Sequence, residues 1–284
     1  MMLNEILNNI LDDWPLWGLS TTPIKVDQIS ILEGGLTNTC YKLSLASGEY
    51  ILRISAANTV ALGIDRDVEK TIHQLVSRLN FTSALRYCDD EHRYWIRDFI
   101  AGEVLADNVE TLSHNTLSYM VEQLKTLHQI PVEIALPMIN ISEKAEALWQ
   151  IMATQQPDNE ILKMKPLMQV AMSEPPAGNF CLSHLDPVLA NWLYTPKGLQ
   201  LLDWEYAGLA HPLWDLAALF QGIKHSIQEL ERKSGKNNHL EIELNLENKI
   251  LSLYGVSDLL AWRRACVQME YLSSLWYQVQ GQIP

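Results

Sequence analysis

The sequence predicts an α+β protein of two lobes, a small β-rich N-terminal lobe over residues 1–102 and a larger, mainly helical C-terminal lobe over residues 103–284. Three observations predict it. Between residues 24 and 100 most apolar runs are short and several alternate with polar residues, the period-2 signature of half-buried strands. Beyond Gly102 apolar residues recur at helical spacings of three and four. Strand-like runs return there only briefly, at 180–182 and 192–202. A chain of 284 residues is long enough to bury the core that each lobe needs.

Taken in order, residues 1–20 carry a short amphipathic helix and a turn punctuated by Pro and Gly. Val26–Leu32, Thr39–Leu45 and Tyr50–Ile54 read as strands, with Tyr41, Leu43 and Leu45 alternating against Lys42 and Ser44. Ser47-Gly48 supplies hairpin chemistry between the second and third. Ile64, Val68, Ile72, Leu75 and Leu79 make residues 65–79 an amphipathic helix. Leu85–Ile100 returns to strand, folded at Asp89-Asp90-Glu91, which gives the order β-β-β-α-β-β. In the second lobe Leu117, Val121, Leu124 and Leu127 share a helix face that ends before Pro131. Residues 143–173 predict one or two helices interrupted near Pro157 and Pro166. Trp192–Leu202 predicts a hairpin turning at Pro196-Lys197-Gly198, and residues 212–277 are helical apart from a polar loop at 233–238.

The composition narrows the function classes. Hydrophobic content of 48% and charged content of 19% describe a globular chain. A net charge of −13 argues against binding a nucleic-acid backbone, which depends on clustered Lys and Arg, but leaves room for a nucleotide neutralised locally. Cys40, Cys88, Cys181 and Cys266 are scattered without CxxC pairing, so neither a disulfide framework nor a zinc site is expected, and a reducing compartment fits. No stretch approaches about 18 uninterrupted apolar residues, so no membrane span is expected. The start lacks a basic segment followed by an apolar run, and the expected location is the cytoplasm. Oligomeric state is not set by these features.

Chemistry concentrates in two segments. Residues 184–191 read His-Leu-Asp-Pro-Val-Leu-Ala-Asn, and Asp203-Trp204-Glu205 begins twelve residues after that Asn. Asp186 and Asn191 have the Asp-x4-Asn spacing of a phosphoryl-transfer catalytic loop, and Asp203 is placed to return a second carboxylate to it. Such transfer asks for one carboxylate to orient and deprotonate an acceptor hydroxyl, and for an amide and a carboxylate to hold Mg²⁺ against nucleotide phosphates. Asp186 is therefore the expected general base, and Asn191 and Asp203 the expected Mg²⁺ ligands. His184 is expected to brace the loop through hydrogen bonds. The polar residues of both segments adjoin apolar strands, where an unneeded charge is costly. A zinc hydrolase on His184, Asp186, Asp203 and His211 is disfavoured, because no HExxH-type pair occurs, and no GxSxG nucleophile elbow is present.

The first lobe offers weaker signals. Gly34, Gly35, Thr37 and Asn38 lie between the first two strands, where two glycines let main-chain N–H groups approach a phosphate; a Gly-Gly pair is equally an ordinary turn. Arg53, inside the apolar run Tyr-Ile-Leu-Arg-Ile, is either a phosphate-facing cation or an outward, solvated one. Glu69 in the following helix is its candidate partner, with Asp65 and Asp67 better suited to the helix start.

From Ile29 to Tyr277 these residues resemble the aminoglycoside phosphotransferase/choline kinase superfamily, a relative of the protein kinases. Glu33 to Asn38 followed by Cys40-Tyr41 is similar to the first hairpin of choline and bacterial thiamine kinases, Arg53 falls at that family's phosphate-facing cation, and Ile64-Asp65-Arg66 with Glu69 resembles its helix carrying the pairing Glu. Leu127-His128 matches a Leu-His that ends a helix there. Asp203-Trp204-Glu205-Tyr206-Ala207-Gly208 is the most specific match, and resembles choline/ethanolamine and thiamine kinases more than antibiotic-modifying members. Pro212-Leu213-Trp214-Asp215 continues it, with Asp215 implied as the buttress of the catalytic loop. The chain departs from the family in having Ala190 before the loop Asn where many members have Gly, and Pro187-Val188-Leu189 in place of a second polar residue.

The resemblance implies a protein-kinase-like fold, ATP, Mg²⁺ and transfer of the γ-phosphoryl group to a small alcohol. It implies that Asp98, Phe99 and Ile100 offer main-chain groups to adenine. Leu148-Trp149-Gln150, Gln155-Gln156 and Trp276-Tyr277-Gln278 look closer to thiamine kinases, so thiamine is the leading acceptor, with choline or ethanolamine next and an aminoglycoside or sugar behind. Both leading acceptors are permanent cations bearing a primary hydroxyl, for which Glu205, Tyr206, Trp262 and Trp276 are candidate carboxylate and aromatic contacts. The competing expectation is an inactive, nucleotide-binding interaction module, against which the intact Asp186, Asn191 and Asp203 speak.

Overall fold

The structure, a computed structural model, describes residues 5–32, 37–56, 59, 61–106, 112–154, 157, 159–172, 178–234 and 239–281. It is α+β, with two compact units: residues 1–59 with 73–101, and residues 60–72 with 102–284.

In the first unit, helices α1 (Glu5–Leu11) and α2 (Trp14–Trp17) precede strands β1 (Ile29–Leu32), β2 (Thr39–Leu45) and β3 (Gly48–Ile54). Helix α3 (Arg66–Arg78), which belongs to this unit only from His73 onward, follows in sequence, then β4 (Leu85–Cys88) and β5 (Tyr94–Asp98). The strands form one antiparallel sheet in the order β1-β2-β3-β5-β4. Alternation turns Tyr41, Leu43, Tyr50, Leu52, Tyr94 and Ile96 to one face, which α1 and α2 cover with Leu7, Ile10, Leu11 and Trp17. Trp17 Nε1 donates to the Tyr94 hydroxyl at 3.1 Å, and that hydroxyl donates to Asp13 at 2.9 Å, so the polar tips inside this core are satisfied.

Two expectations shift here. Val26–Gln28 is a 3₁₀ turn rather than strand, because the Gln28 side chain and main chain both bond back to Lys25, and β1 starts at Ile29. The hairpin between β2 and β3 turns at Ala46-Ser47, since Leu45 pairs with Gly48 and Gly48 takes a positive φ of 147° as the first residue of β3.

In the second unit the order is β6 (Glu103–Val104), α4 (His114–His128), α5 (Ile141–Met152), α6 (Asn159–Met172), β7 (Cys181–Ser183), β8 (Trp192–Thr195), β9 (Gly198–Leu201), β10 (Gly208–Ala210), α7 (Pro212–Ser234), α8 (His239–Tyr254) and α9 (Leu259–Val279). Ser113, Asn140 and Asp258 cap α4, α5 and α9 by accepting main-chain N–H bonds of the first turn. Helix α6 runs through Pro166, because Ile161 and Met168 on either side of it are buried with residues of α5 and α9. The predicted helical stretch 212–277 has a second break: Gly255, at φ 90°, ends α8, and Asp258 starts α9. Among the described residues no helix is long and apolar enough to cross a membrane.

Two antiparallel pairings in this unit bring the chemical segments together. Strand β7 pairs with β10 in the register Ser183↔Gly208. Strand β8 pairs with β9 in the register Trp192↔Leu201, and the Leu202 N–H continues that ladder to Asn191 O at 2.8 Å. Residues 184–191 and 202–207 are thus stapled at both ends. Gly208 is needed at the first staple: a Cβ there would lie 2.7 Å from the Ile139 side chain.

Candidate active site

Gly34 and Gly35 lie outside the described residues. Thr37 is half-buried, and Asn38 is buried, its Oδ1 accepting from Ala56 N at 3.4 Å. Arg53 is not solvated: it is buried in the middle of the sheet, paired to Cys40 and Trp95, and its guanidinium stacks on the Trp95 ring at 3.7 Å. Asp98 is held by both guanidinium arms of Arg86 at 2.6 and 2.7 Å, and its N–H donates to Ala84 O. The Phe99 N–H donates to Glu49 O, and its ring lies under Lys42. Both N–H groups are therefore committed to main-chain partners, leaving the carbonyls and the half-buried Ile100 as the local groups for a ligand.

In the second unit β7 delivers His184, which has no solvent exposure. Its Nε2 donates to Leu202 O at 2.8 Å and its Nδ1 accepts from Asp186 N at 3.2 Å, with the ring edge against Trp204. Burial drops its imidazole from the ordinary 6.5 to about 4, so the ring is neutral and in one tautomer. With both nitrogens engaged, His184 offers nothing to a metal. It joins the two segments instead.

Asp215, at the start of α7 and fully buried, organises the next residue. Its two oxygens accept from Leu185 N at 2.6 Å and His184 N at 2.9 Å, and from His128 Nε2 at 2.9 Å. His128 Nδ1 in turn accepts from the Tyr254 hydroxyl at 2.8 Å. Leu185 has φ 67°, a left-handed conformation that a branched apolar residue adopts at a cost of about 1–3 kcal/mol unless the surroundings impose it. The twist swings the chain so that Asp186 faces Asn191, whose Nδ2 donates to Asp186 Oδ2 and to Asp186 O, each at 2.8 Å. Burial raises the Asp186 carboxyl from 3.8 to about 7, opposed by the Asn191 bond and reinforced by the charges of Glu205 and Asp215.

Asp203 also takes a left-handed φ, 61°, after β9. One oxygen of its carboxylate and one each of Glu69 and Glu205 lie within 4.8 Å of one another. Arg66 Nη1 donates to Glu69 Oε2 at 2.6 Å and to Glu205 Oε2 at 3.0 Å. Hard oxygen donors of this kind suit Mg²⁺, which is held by one or two carboxylates with its remaining positions open to water and phosphate. Asn191, with Nδ2 committed to Asp186, has Oδ1 as the side-chain atom it could offer a metal.

The aromatic candidates divide. Trp276 Nε1 donates to the Tyr206 hydroxyl at 2.6 Å, and Trp276 packs edge-on against Tyr277. Burial and then the Glu205 charge raise the Tyr206 phenol, while burial and then Asp186 raise Tyr277, so both rings sit in the electrostatic reach of the carboxylates. Trp262 does not join them: it is 1% exposed, packs on Phe220 and donates to Glu247 at 2.6 Å. Sequence reasoning missed Arg66 as a site residue, Trp95 beneath Arg53, and Tyr277. Arg66 left a signal in its i, i+3 spacing with Glu69, and Tyr277 lies in the Trp276-Tyr277-Gln278 segment that resembles thiamine kinases; Trp95 left none.

The model of the phosphotransferase enzyme family matches residues 28–235. No curated protein matches the chain significantly. Among solved structures, a choline kinase from Streptococcus pneumoniae superimposes with a TM-score of 0.71 at 20% identity, covering 96% of this chain and 90% of that one. An ethanolamine kinase from Plasmodium vivax gives 0.70 at 16% identity, covering 99% and 85%. An aminoglycoside phosphotransferase solved with streptomycin and ATP gives 0.57 at 15% identity, covering 93% and 87%. At these identities the likeness establishes the fold.

Proposed function

This chain belongs to the phosphotransferase enzyme family, and on that premise we propose that it is a small-molecule kinase moving the γ-phosphoryl group of ATP to the primary hydroxyl of a cationic alcohol. Thiamine is the leading acceptor and choline or ethanolamine the second reading. The observation that carries the proposal is the Asp186–Asn191 pair, held beside Glu205 by the two strand pairings.

Asp186 orients the acceptor hydroxyl and takes its proton; a carboxyl raised to about 7 is matched to proton transfer near neutral pH. Its bond from Asn191 keeps the carboxylate pointed at one place while the proton moves. Asn191 and Asp203 would hold Mg²⁺, which when bound would neutralise charge on the phosphates. Arg53 supplies the cation for the phosphates, stiffened by its stack on Trp95. Tyr206, Trp276 and Tyr277 offer ring faces to the acceptor's cationic group, and Glu205 belongs with the metal-side carboxylates. The neighbours named as choline and ethanolamine kinases favour an amino alcohol; the one solved with ATP favours that donor. Of the thiamine-like pattern, Tyr277 feels the Asp186 charge and Trp276 donates to Tyr206 while packing against the core that holds Leu148 and Trp149.

The test is a panel of thiamine, choline, ethanolamine and an aminoglycoside, read as kcat/KM with MgATP. One cationic alcohol should exceed the aminoglycoside by at least about 10²-fold. Asp186→Ala should abolish turnover with ATP affinity kept. MgATP binding without stimulation by any acceptor would instead favour the interaction module.

A further inference from the structure

We propose that the cavity between the C-terminal ends of α4 and α8 and the start of α7 is a second ligand site, which takes a small molecule with a flat apolar body and one carboxylate or phosphate group. None of the residues assigned to phosphotransfer lines it, and it does not depend on the kinase reading.

The cavity has a volume of about 430 Å³, within the ~300–1,000 Å³ of small-molecule pockets. Phe180, Pro212 and Tyr254 line it with flat rings, and Phe180 is held edge-on against Trp214. Gly178 brings one wall close: a Cβ there would lie 2.9 Å from His211 Nε2, and the residue takes φ 149°. The His128 imidazole is already engaged, between the Tyr254 hydroxyl and Asp215.

Charge decides the other end of the ligand. Among the described residues no Asp or Glu lines the cavity, although the chain carries 34 acidic residues against 21 basic. Asp215 turns its oxygens to Leu185 N, His184 N and His128 Nε2 instead. Lys125 does line it. Its Nζ donates to Tyr254 O at 3.1 Å, which fixes the ammonium in place and uses one of its three N–H donors. No carboxylate among the described residues pairs with it. Gln129 and Asn179 add exposed amides. A fixed ammonium beside neutral donors and apolar rings is the complement of an oxyanion carried on a flat body.

Cys181 lines the same cavity and reports its occupancy. Burial holds its thiol up at about 11, so iodoacetamide alkylates it slowly, and mass spectrometry reads the rate with Cys40, Cys88 and Cys266 as internal controls. A fragment the size of phenyl phosphate binds such a site with Kd on the order of 1 mM, so ~10 mM should slow alkylation of Cys181 on the order of tenfold. Phenylacetate tests a carboxylate in place of the phosphate. Benzyl alcohol, with the ring but no charge, should leave the rate within about twofold. Lys125→Gln should lose the protection and Lys125→Arg keep it. Protection by either anion that Lys125→Gln removes supports the site, and the stronger anion names the group. No protection by either anion, equal protection by benzyl alcohol, protection spread over all four cysteines, or protection that survives in Lys125→Gln overturns it. Should Lys125→Gln not fold, the comparison of charged and neutral probes on the wild-type protein decides.

Discussion

Replacing Asp215 by asparagine changes one oxygen to an NH₂ group without changing shape, and the structure sets what that does. The carboxylate accepts three bonds, from Leu185 N, His184 N and His128 Nε2, at 2.6, 2.9 and 2.9 Å. An amide oxygen can keep Leu185 N. Its NH₂ then meets the His184 N–H donor to donor, and His128 holds on only by reversing its tautomer against Tyr254. Two charge-assisted bonds are weakened or lost at about 1.5–3 kcal/mol each. The left-handed Leu185 backbone also loses part of what imposes it. The expected cost is about 3–6 kcal/mol, a large share of a stability that is typically about 5–15 kcal/mol. Because Asp186 follows Leu185 directly, turnover should fall with stability while ATP affinity changes little. Urea unfolding followed by tryptophan fluorescence measures the first, and steady-state kinetics the second. An unfolding free energy within about 1 kcal/mol of wild type, with full turnover, would refute the assigned role of Asp215.

Further outcomes follow from the same geometry. His184 is held near 4 in the fold against 6.5 unfolded, so the unfolded chain takes up its proton first and stability is lost as pH falls through that window, by about 2 kcal/mol at pH 5. Asp186 works in the opposite sense, its raised carboxyl stabilising the fold as pH falls, so the readout is the difference between wild type and His184→Gln in urea midpoints at pH 7 and 5. Identical pH dependence in the two proteins would show that His184 is not held neutral. At Gly102 a Cβ would sit 2.5 Å from Tyr194 O and 2.8 Å from Leu193 Cγ, so Gly102→Ala should cost about 1–3 kcal/mol by thermal unfolding, and an unchanged midpoint would mean that Gly102 does not pack against β8.

The parts legible in the sequence are those governed by local spacing. Thr39–Leu45 is read residue for residue, because alternation over seven positions leaves one face for the core. The hairpin that follows is misplaced by one residue, because turn chemistry at Ser47-Gly48 does not say whether Gly48 closes the turn or opens the strand. The break at Gly255 is hidden because apolar residues continue on both sides of it, and one glycine is tolerated inside many helices. Asp186 and Asn191 meet because the spacing that suggested them spans a single loop. Arg66 with Glu205 is separated by 139 residues, a contact no periodicity encodes. Trp262 illustrates the converse: an indole at a helical position carries no mark of whether it faces a ligand or, as here, Phe220 and Glu247.

The ribbon of β8 and β9 has a consequence for how this chain tolerates change. Its base joins Asn191 to Leu202 by a main-chain bond, while its tip at Pro196-Lys197 lies at the far end of the ladder. Extra residues grafted at the tip would lengthen the excursion and leave the spacing at the base untouched, because the ladder, not the contour length, sets that distance. Sequence distance between the amide and the second carboxylate is thus a free variable in this architecture, and spatial distance is not.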